Sequence, residues 1–514
     1  MQKEKTLPPY RLKNLTSTIR GFAGQRGGRW SKVPNPPQWY ATSVQACGIY
    51  PFSAGSARPT DGSPLGRDMN SGAAVCMDHE SLYRQAVITS PSCFLYGING
   101  VGKSSTAQTI ILGQVARGLT PGMFNPIKKD EHTALTRALG GMVARFGPGQ
   151  PDRFNLLSSG PLGEAAAKIG GQIGQDLELL AREKSVQLVQ LITRTQRGKP
   201  LDDIEDTVLE YLVDDARKYN ETPYTEDLLY AFMQPSERTL SFLGLKDVEK
   251  FHERHVRLGE TLRSMMSGEL GRLLGGKESV TFDPGNPGGF CFDTAAIPQS
   301  SNRLLSAAML ASWSTGMDII DAHWELAQFE ARKAKEALAA GDFYEPKVHW
   351  RGYTTFMDEF WYPLRACEGI VDRVDQLSRT NRSQGVAEMK ATHSPKDQMS
   401  LPNPEDREKA RGLTERAGLL AMMALTKQDA DTLSEIRPMT SKEISRVVGF
   451  NAAPAWHNPK PKLARLDDDK PTPPPGAGKV MFKVEGRVGI PVQMIQTNIQ
   501  ASLHITDTRY RNQS

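Results

Sequence analysis

The chain of 514 residues has no run approaching the roughly eighteen uninterrupted apolar residues that a membrane span needs, which excludes a spanning helix from the reading. Cysteine is scarce: Cys47, Cys76, Cys93, Cys291 and Cys367 are odd in number and scattered, with no CxxC and no histidine at ligand spacing. That excludes a disulfide framework and a zinc site, and the five are read as reduced and structural. Residues 1–30 are basic but lack the apolar centre of a secretory signal, so a cytoplasmic chain is expected. Internal repeats, a Cys/His cluster and a nucleophile triad are also missing. Hydrolysis of a nucleoside triphosphate is the one reaction the motifs below support.

What is present is the composition of a soluble globular protein, 39% hydrophobic and 24% charged, long enough for two to four domains. The net charge of +5 is unevenly placed. Lys3, Lys5, Arg11, Lys13, Arg20, Arg26, Arg29 and Lys32 stand against Glu4 alone in residues 1–40, a local +7 that leaves the rest near neutral. This arm, residues 1–38, reads either as a contact for DNA or anionic lipid or, more commonly for such termini, as a solvated flexible segment. The body carries no obvious nucleic-acid footprint.

From Trp39 to Val87 short apolar pieces alternate with turn residues, predicting small strands that lead into the core. A strand at Cys93–Tyr96, a Gly-rich turn, a helix over Lys103–Arg117 and a strand near Met123–Ile127 form a βαβ unit. A helix at Glu131–Leu139 and a strand at Met142–Phe146 continue the alternation of a parallel sheet with helices on its faces. Residues 39–160 are thus the first part of an α/β core. Residues 161–280 show long helical periods (Asp176–Arg194, Asp203–Tyr219, Leu245–Leu274) and predict an all-helical insertion. The core resumes over 281–453, with strands at Gly289–Asp293, Tyr353–Met357 and Gly385–Thr392 and a long helix over Asn302–Ala340. Its stripe Leu304, Leu305, Ala308, Met309, Trp313 and Met317 has core spacing. Residues 454–514 read as a Pro-rich connector followed by a terminal hairpin, Val480–Val484 with Ile490–Ile495.

The segment Gly97-Ile98-Asn99-Gly100-Val101-Gly102-Lys103-Ser104 fits GxxxxGK[ST] between a strand and a helix. Its glycines let backbone N–H groups turn around phosphate oxygens at a helix N-terminus whose dipole favours an anion. Lys103 is expected to reach the β and γ phosphates of ATP. Ser104 is expected to offer its hydroxyl to Mg²⁺, with Ser105, one step beyond the motif, as the alternative. A P-loop enzyme also needs a carboxylate at the end of a neighbouring strand, and Tyr353–Met357 ends in Asp358 and Glu359. Asp358 is assigned to the metal and Glu359 to polarising the attacking water. Arg373, Arg379 and Arg382 follow on a predicted helix, Ala366–Arg382. Arg379 and Arg382 are favoured as a finger stabilising phosphoryl charge across a subunit boundary, against the reading that they are only solvated. His393 ends the strand Val386–Thr392 and would face a γ-phosphate if that strand neighbours the strand of Asp358; a nucleotide sensor and a capping or core histidine are the two readings.

Taken in order, the P-loop, Gly62–Arg67 with Asp78 before it, Leu135–Gly141, Phe154–Leu156, Phe290–Asp293 and Asp358-Glu359 make the chain resemble the VirB-type, TraC-like conjugal transfer ATPases of the HerA and FtsK superfamily. Asp406–Gly412 and Gly486–Pro491 resemble actinobacterial members. The likeness spans roughly residues 39–510. It implies a RecA-like ATPase core that works as a homo-oligomeric ring, usually a hexamer, peripheral at the inner face of the cell membrane and partnered by secretion-channel membrane proteins. The chain departs from the family in two ways. A large N-terminal docking domain has no room before Ser92, so either a separate polypeptide supplies it or docking differs, and His393 stands where many relatives carry glutamine. Three functions follow as alternatives: the ATP-hydrolysing motor of conjugative DNA transfer or type IV secretion, an FtsK- or TraB-like translocase gripping DNA itself, or a nucleotide-binding scaffold with little hydrolysis.

Overall fold

The computed structural model describes residues 16–18, 21–23, 59–125, 131–219, 223–276, 283, 285–364, 371, 384–399, 401, 403–452 and 476–503. The chain divides into two compact units, Met1–Gly55 and Ser56–Ser514. In the first, β1 (Thr16–Thr18) and β2 (Gly21–Ala23) pair antiparallel, Thr16 opposite Ala23. The basic side chains of the arm lie outside the described residues.

Among the described residues, the second unit is built on one 11-stranded sheet. Its parallel strands are β5 (Ser92–Tyr96), β6 (Thr120–Asn125), β7 (Met142–Arg145), β8 (Phe290–Asp293), β9 (Tyr353–Met357), β10 (Val386–Thr392) and β11 (Leu419–Met422), in the spatial order β11-β5-β10-β9-β6-β8-β7. β12 (Lys479–Val484), β13 (Ile490–Met494), β3 (Pro64–Asp68) and β4 (Ala74–Cys76) extend it beyond β11 as antiparallel strands. Every residue of β8, β9, β10 and β11 is buried, as expected for parallel strands covered on both faces. The fold is therefore α/β with a mainly parallel sheet. Pro121, which cannot donate to a ladder, sits near the start of β6.

Among the described residues from 160 to 276 there are helices and no strand: Gly160–Ile169, Gly171–Arg197, Asp203–Tyr219, Asp227–Met233, Glu237–Phe242, Val248–Arg254, Val256–Met265 and Gly268–Leu274. The helical period expected over Leu245–Leu274 is broken at His255, which leaves helical geometry at φ −112°, and at Gly268, whose φ of +63° is left-handed. This segment leaves the sheet after β7 and returns at β8, its direct neighbour. A helix over Asn302–Ala339 follows, and Leu304, Leu305, Ala308, Met309, Trp313 and Met317 are all buried in the core. Lys184 from Gly171–Arg197 reaches Asp318 at 2.7 Å and Asp321 at 2.6 Å on that long helix. Burial works against the Lys184 charge, but the two aspartates outweigh it and raise its pKa.

Two features depart from the sequence expectation. The C-terminal hairpin is no appendage: β12 pairs with β11 and β13 with β3, so it joins the two ends of the unit through the sheet. β11 itself lies in the uniformly apolar run Leu419–Leu425, which has no alternation to separate strand from helix. The Pro-rich connector (residues 453–475) and most of the predicted helix Ala366–Arg382 lie outside the described residues. Among the described residues no helix is long and apolar enough to cross a membrane. Cys76, Cys93 and Cys291 are free thiols, and burial pushes those of Cys93 and Cys291 up, keeping them protonated.

Candidate functional site

Strand register assembles the site. β10 lies between β5 and β9, with Thr392 beside Tyr96 and Lys390 beside Met357. The first residues past these strand ends therefore gather along one edge of the sheet: Gly97 after β5, His393 after β10, Asp358 and Glu359 after β9. This is the carboxyl-terminal edge, where open α/β sheets bind ligands.

The loop after β5 is held on both sides. Ile98 donates its N–H to Ala424 O at 3.1 Å, and Gly478 donates to Val101 O at 3.3 Å, so the turn after β11 and the start of β12 flank the loop. Gly97 is required by space, since a Cβ there would lie 2.9 Å from Met423 Cβ and 3.0 Å from Val101 Cγ2. Gly100 and Gly102 are required by conformation, at φ +81° and +100°. Asn99 and Gly100 form the exposed tip, while Val101 is buried. Gly102 caps the helix Lys103–Ala116 with no side-chain hydrogen bond, leaving the first N–H groups of a fourteen-residue helix for an anion.

The Lys103 ammonium is buried and donates to Gly97 O at 2.8 Å, Ile98 O at 3.4 Å and His393 Nδ1 at 2.8 Å. An ammonium can only donate, so Nδ1 of His393 is the acceptor and its ring proton resides on Nε2. That nitrogen lies 2.8 Å from Glu359 Oε1. The other oxygen, Oε2, accepts from Trp361 Nε1 at 2.7 Å. Glu359 itself adopts φ +49°, a left-handed value uncommon for a residue with a side chain. Its N–H donates to Asp358 Oδ1 at 3.0 Å. Asp358 Oδ2 in turn faces Ser104 Oγ across 3.5 Å and His132 Nε2 across 3.6 Å.

The donor set fits a magnesium ion. Ser104 Oγ and Asp358 Oδ2, 3.5 Å apart, present two hard oxygens of the kind that would hold Mg²⁺. No group of three or more His, Cys, Asp or Glu side chains able to hold a metal exists among the described residues.

The structure thus brings together Gly97–Ser104, Asp358, Glu359 and His393. Ser104 faces Asp358, whereas Ser105 lies half-buried one step along the helix. Arg373, Arg379 and Arg382 lie outside the described residues. Two residues at the site carried no sequence signal. His132 belongs to the helix Glu131–Ala138 and packs edge-on to Phe356 of β9, ring centroids 5.2 Å apart. Trp361 follows Glu359 by two positions, and only the turn after β9 directs its indole back to the carboxylate.

At the opposite end of the P-loop helix, Asp78 accepts from Ser63 N (2.7 Å) and Oγ (2.9 Å), Gln114 Nε2 (3.1 Å) and Arg117 (2.6 Å). Burial pushes the Asp78 carboxyl up, but His79, Arg117 and the backbone donors of Ser81 and Ser63 prevail and hold it below its usual range. The segment Gly62–Arg67 and Asp78 thereby anchor the helix that carries Lys103 and Ser104, away from the phosphate end.

No protein-family model matches the chain, and no curated protein matches it either. Among solved structures, VirB4 of Thermoanaerobacter pseudethanolicus superposes with a TM-score of 0.58 at 15% identity, covering 87% of this chain and 100% of that one. The bacterial conjugative coupling protein TrwBdeltaN70 gives a TM-score of 0.43 at 12% identity, covering 87% and 91%. TrwB in complex with ADP and Mg²⁺ gives 0.42 at 12%, covering 87% and 92%. The likeness to VirB4 is one of fold: this chain carries, along nearly its whole length, the architecture of that protein.

Proposed function

We propose that the chain is an ATP-hydrolysing motor of a conjugative DNA-transfer or type IV secretion system. The observation that carries the reading is the convergence of Lys103, Ser104, Asp358, Glu359 and His393 at the ends of three adjacent parallel strands. The glycine-shaped turn Gly97–Gly102 at the N-terminus of the helix Lys103–Ala116, with Ser104 facing Asp358, supports ATP and Mg²⁺ as its ligands.

In this reading the N–H groups of Gly100–Ser104 cradle the phosphates and Lys103 leaves its carbonyl and imidazole partners for the β and γ oxygens. Ser104 and Asp358 hold Mg²⁺, which supplies charge neutralisation at the phosphates. Glu359 orients a water and takes its proton as the water oxygen bonds to the γ phosphorus. The bond to the β–γ bridging oxygen breaks, and ADP leaves with the electron pair. An arginine from a neighbouring subunit, Arg379 or Arg382, completes the charge balance, which makes a homo-oligomeric ring, in the resemblance a hexamer, part of the proposal. Secretion-channel membrane proteins, at the inner face of the membrane, are the partners it would drive.

The test is steady-state ATP hydrolysis by purified protein beside Lys103→Ala and Glu359→Gln, at concentrations that permit ring assembly. The expected result is turnover that both substitutions lower by on the order of 100-fold or more, with nucleotide binding kept by Glu359→Gln. Binding of ATP by the wild type without turnover would sink the motor and leave the nucleotide-binding scaffold. Stimulation by DNA, with steep salt dependence, would move the assignment to a translocase that grips DNA itself.

A further inference from the structure

We propose that Trp361 is the positioning residue of Glu359: its indole N–H fixes one carboxylate oxygen, so that the other is the one presented to the attacking water. The inference rests on the hydrolytic reading above.

The two oxygens of Glu359 are held by partners of different kinds. Oε2 accepts from Trp361 Nε1 at 2.7 Å, a donor two residues along the same turn. Trp361 is placed by the sheet, because the intervening Phe360 is fully buried, donates its N–H to Ala391 O of β10 at 3.0 Å and packs edge-on to Phe94 of β5. Oε1 instead faces His393 Nε2 at 2.8 Å, and the other nitrogen of that ring is bonded to Lys103. Lys103 donates to His393 and His393 to Glu359, so the bond on Oε1 is linked to the P-loop, whereas the bond on Oε2 comes from the turn after β9.

An anionic phosphate is a stronger partner for an ammonium than a neutral imidazole nitrogen. Once Lys103 turns to phosphate, His393 loses the donor that fixes its ring, and Oε1 is the oxygen free to exchange its partner for water. A carboxylate with one oxygen pinned and one released has a defined direction for accepting a proton, and orientation of this kind is a large part of catalytic advantage. The left-handed backbone at Glu359, φ +49°, is consistent with a side chain whose direction is imposed by its surroundings.

Trp361→Phe keeps the ring and removes the donor. We expect kcat for ATP hydrolysis to fall about tenfold, while KM, the dissociation constant for ATP with Glu359→Gln as reference, and the melting temperature stay near those of the wild type. Combined with Glu359→Ala, Trp361→Phe should cause no further loss in single-turnover rate, since the indole would act only through that carboxylate. An unchanged kcat in Trp361→Phe, a parallel change in KM or melting temperature, or an additional loss on top of Glu359→Ala would each overturn the proposal. A wild-type protein that binds ATP and never hydrolyses it would instead be the failure of the motor reading, and is distinguished by the wild-type assay alone.

Discussion

Gly478 donates its backbone N–H to the carbonyl of Val101 at 3.3 Å, so the turn that leads into β12 supports the phosphate loop from a point far along the chain. The loop is thus shaped from below by its own glycines and from the side by the C-terminal hairpin. The two kinds of support fail differently when disturbed.

Within the loop, Gly97→Ala places a methyl group 2.9 Å from Met423 Cβ and 3.0 Å from Val101 Cγ2. Neither neighbour can retreat freely, because Met423 N–H is bonded to Tyr96 O. The substitution should displace the loop and weaken ATP binding at least tenfold in a fluorescent-nucleotide titration. Gly100→Ala meets nothing within 4 Å and carries only the strain of φ +81°, about 1 kcal/mol. Its effect on ATP affinity should stay within about fivefold. Equal losses in the two variants would refute the assignment of steric need at Gly97 and conformational need at Gly100.

Ser104→Ala removes one of the two oxygens that face each other across 3.5 Å. If that gap is the magnesium site, ATP hydrolysis by the variant should need on the order of tenfold more Mg²⁺ for half-maximal rate, and Ser105→Ala should leave the requirement near that of the wild type. Magnesium titration of the rate in the three proteins decides between the two serines.

Support from the hairpin runs through Glu443 and Lys483. Lys483 of β12 lies 3.0 Å from Glu443 Oε1, which also accepts from Gly489 N–H at 2.6 Å, while Oε2 accepts from Thr440 N–H at 2.7 Å. Burial pushes the Glu443 carboxyl up, but the Thr440 and Gly489 donors and Lys483 together hold it below the usual glutamate range. A depressed carboxyl contributes stability that is complete above its unfolded value, about 4.3, and is lost as the pH falls below it. Glu443→Ala should cost about 3 kcal/mol at pH 7, because it leaves the buried Lys483 uncompensated. The gap between variant and wild type in urea unfolding should narrow at pH 3. A gap that is small at pH 7, or that widens on acidification, would show that this pair does not brace the hairpin.

Much of this protein is written locally. The reading of Cys93–Tyr96 as strand and Lys103–Arg117 as helix matches the observed Ser92–Tyr96 and Lys103–Ala116 closely, because apolar clustering, a glycine-rich turn and helical spacing act over a few residues. The same holds for Tyr353–Met357, for the helix Asn302–Ala339 and for the α/β class they imply. Neighbouring carboxylates after an apolar strand are likewise legible as Asp358 and Glu359.

Tertiary structure alone decided which strand ends meet. That β10 sits between β5 and β9 brings His393 to both Lys103 and Glu359, and strand order is a property of pairing across hundreds of residues that no local period encodes. His132 comes to Asp358 because β6, from which its helix follows, pairs with β9. The indole of Trp361 reaches Glu359 because Phe360 is locked into the sheet between them. β11 was hidden in an unbroken apolar run, and the hairpin that looked terminal became interior to the sheet, for the same reason. A strand's own residues report that it will be buried, while its neighbours are chosen by the packing of the whole sheet.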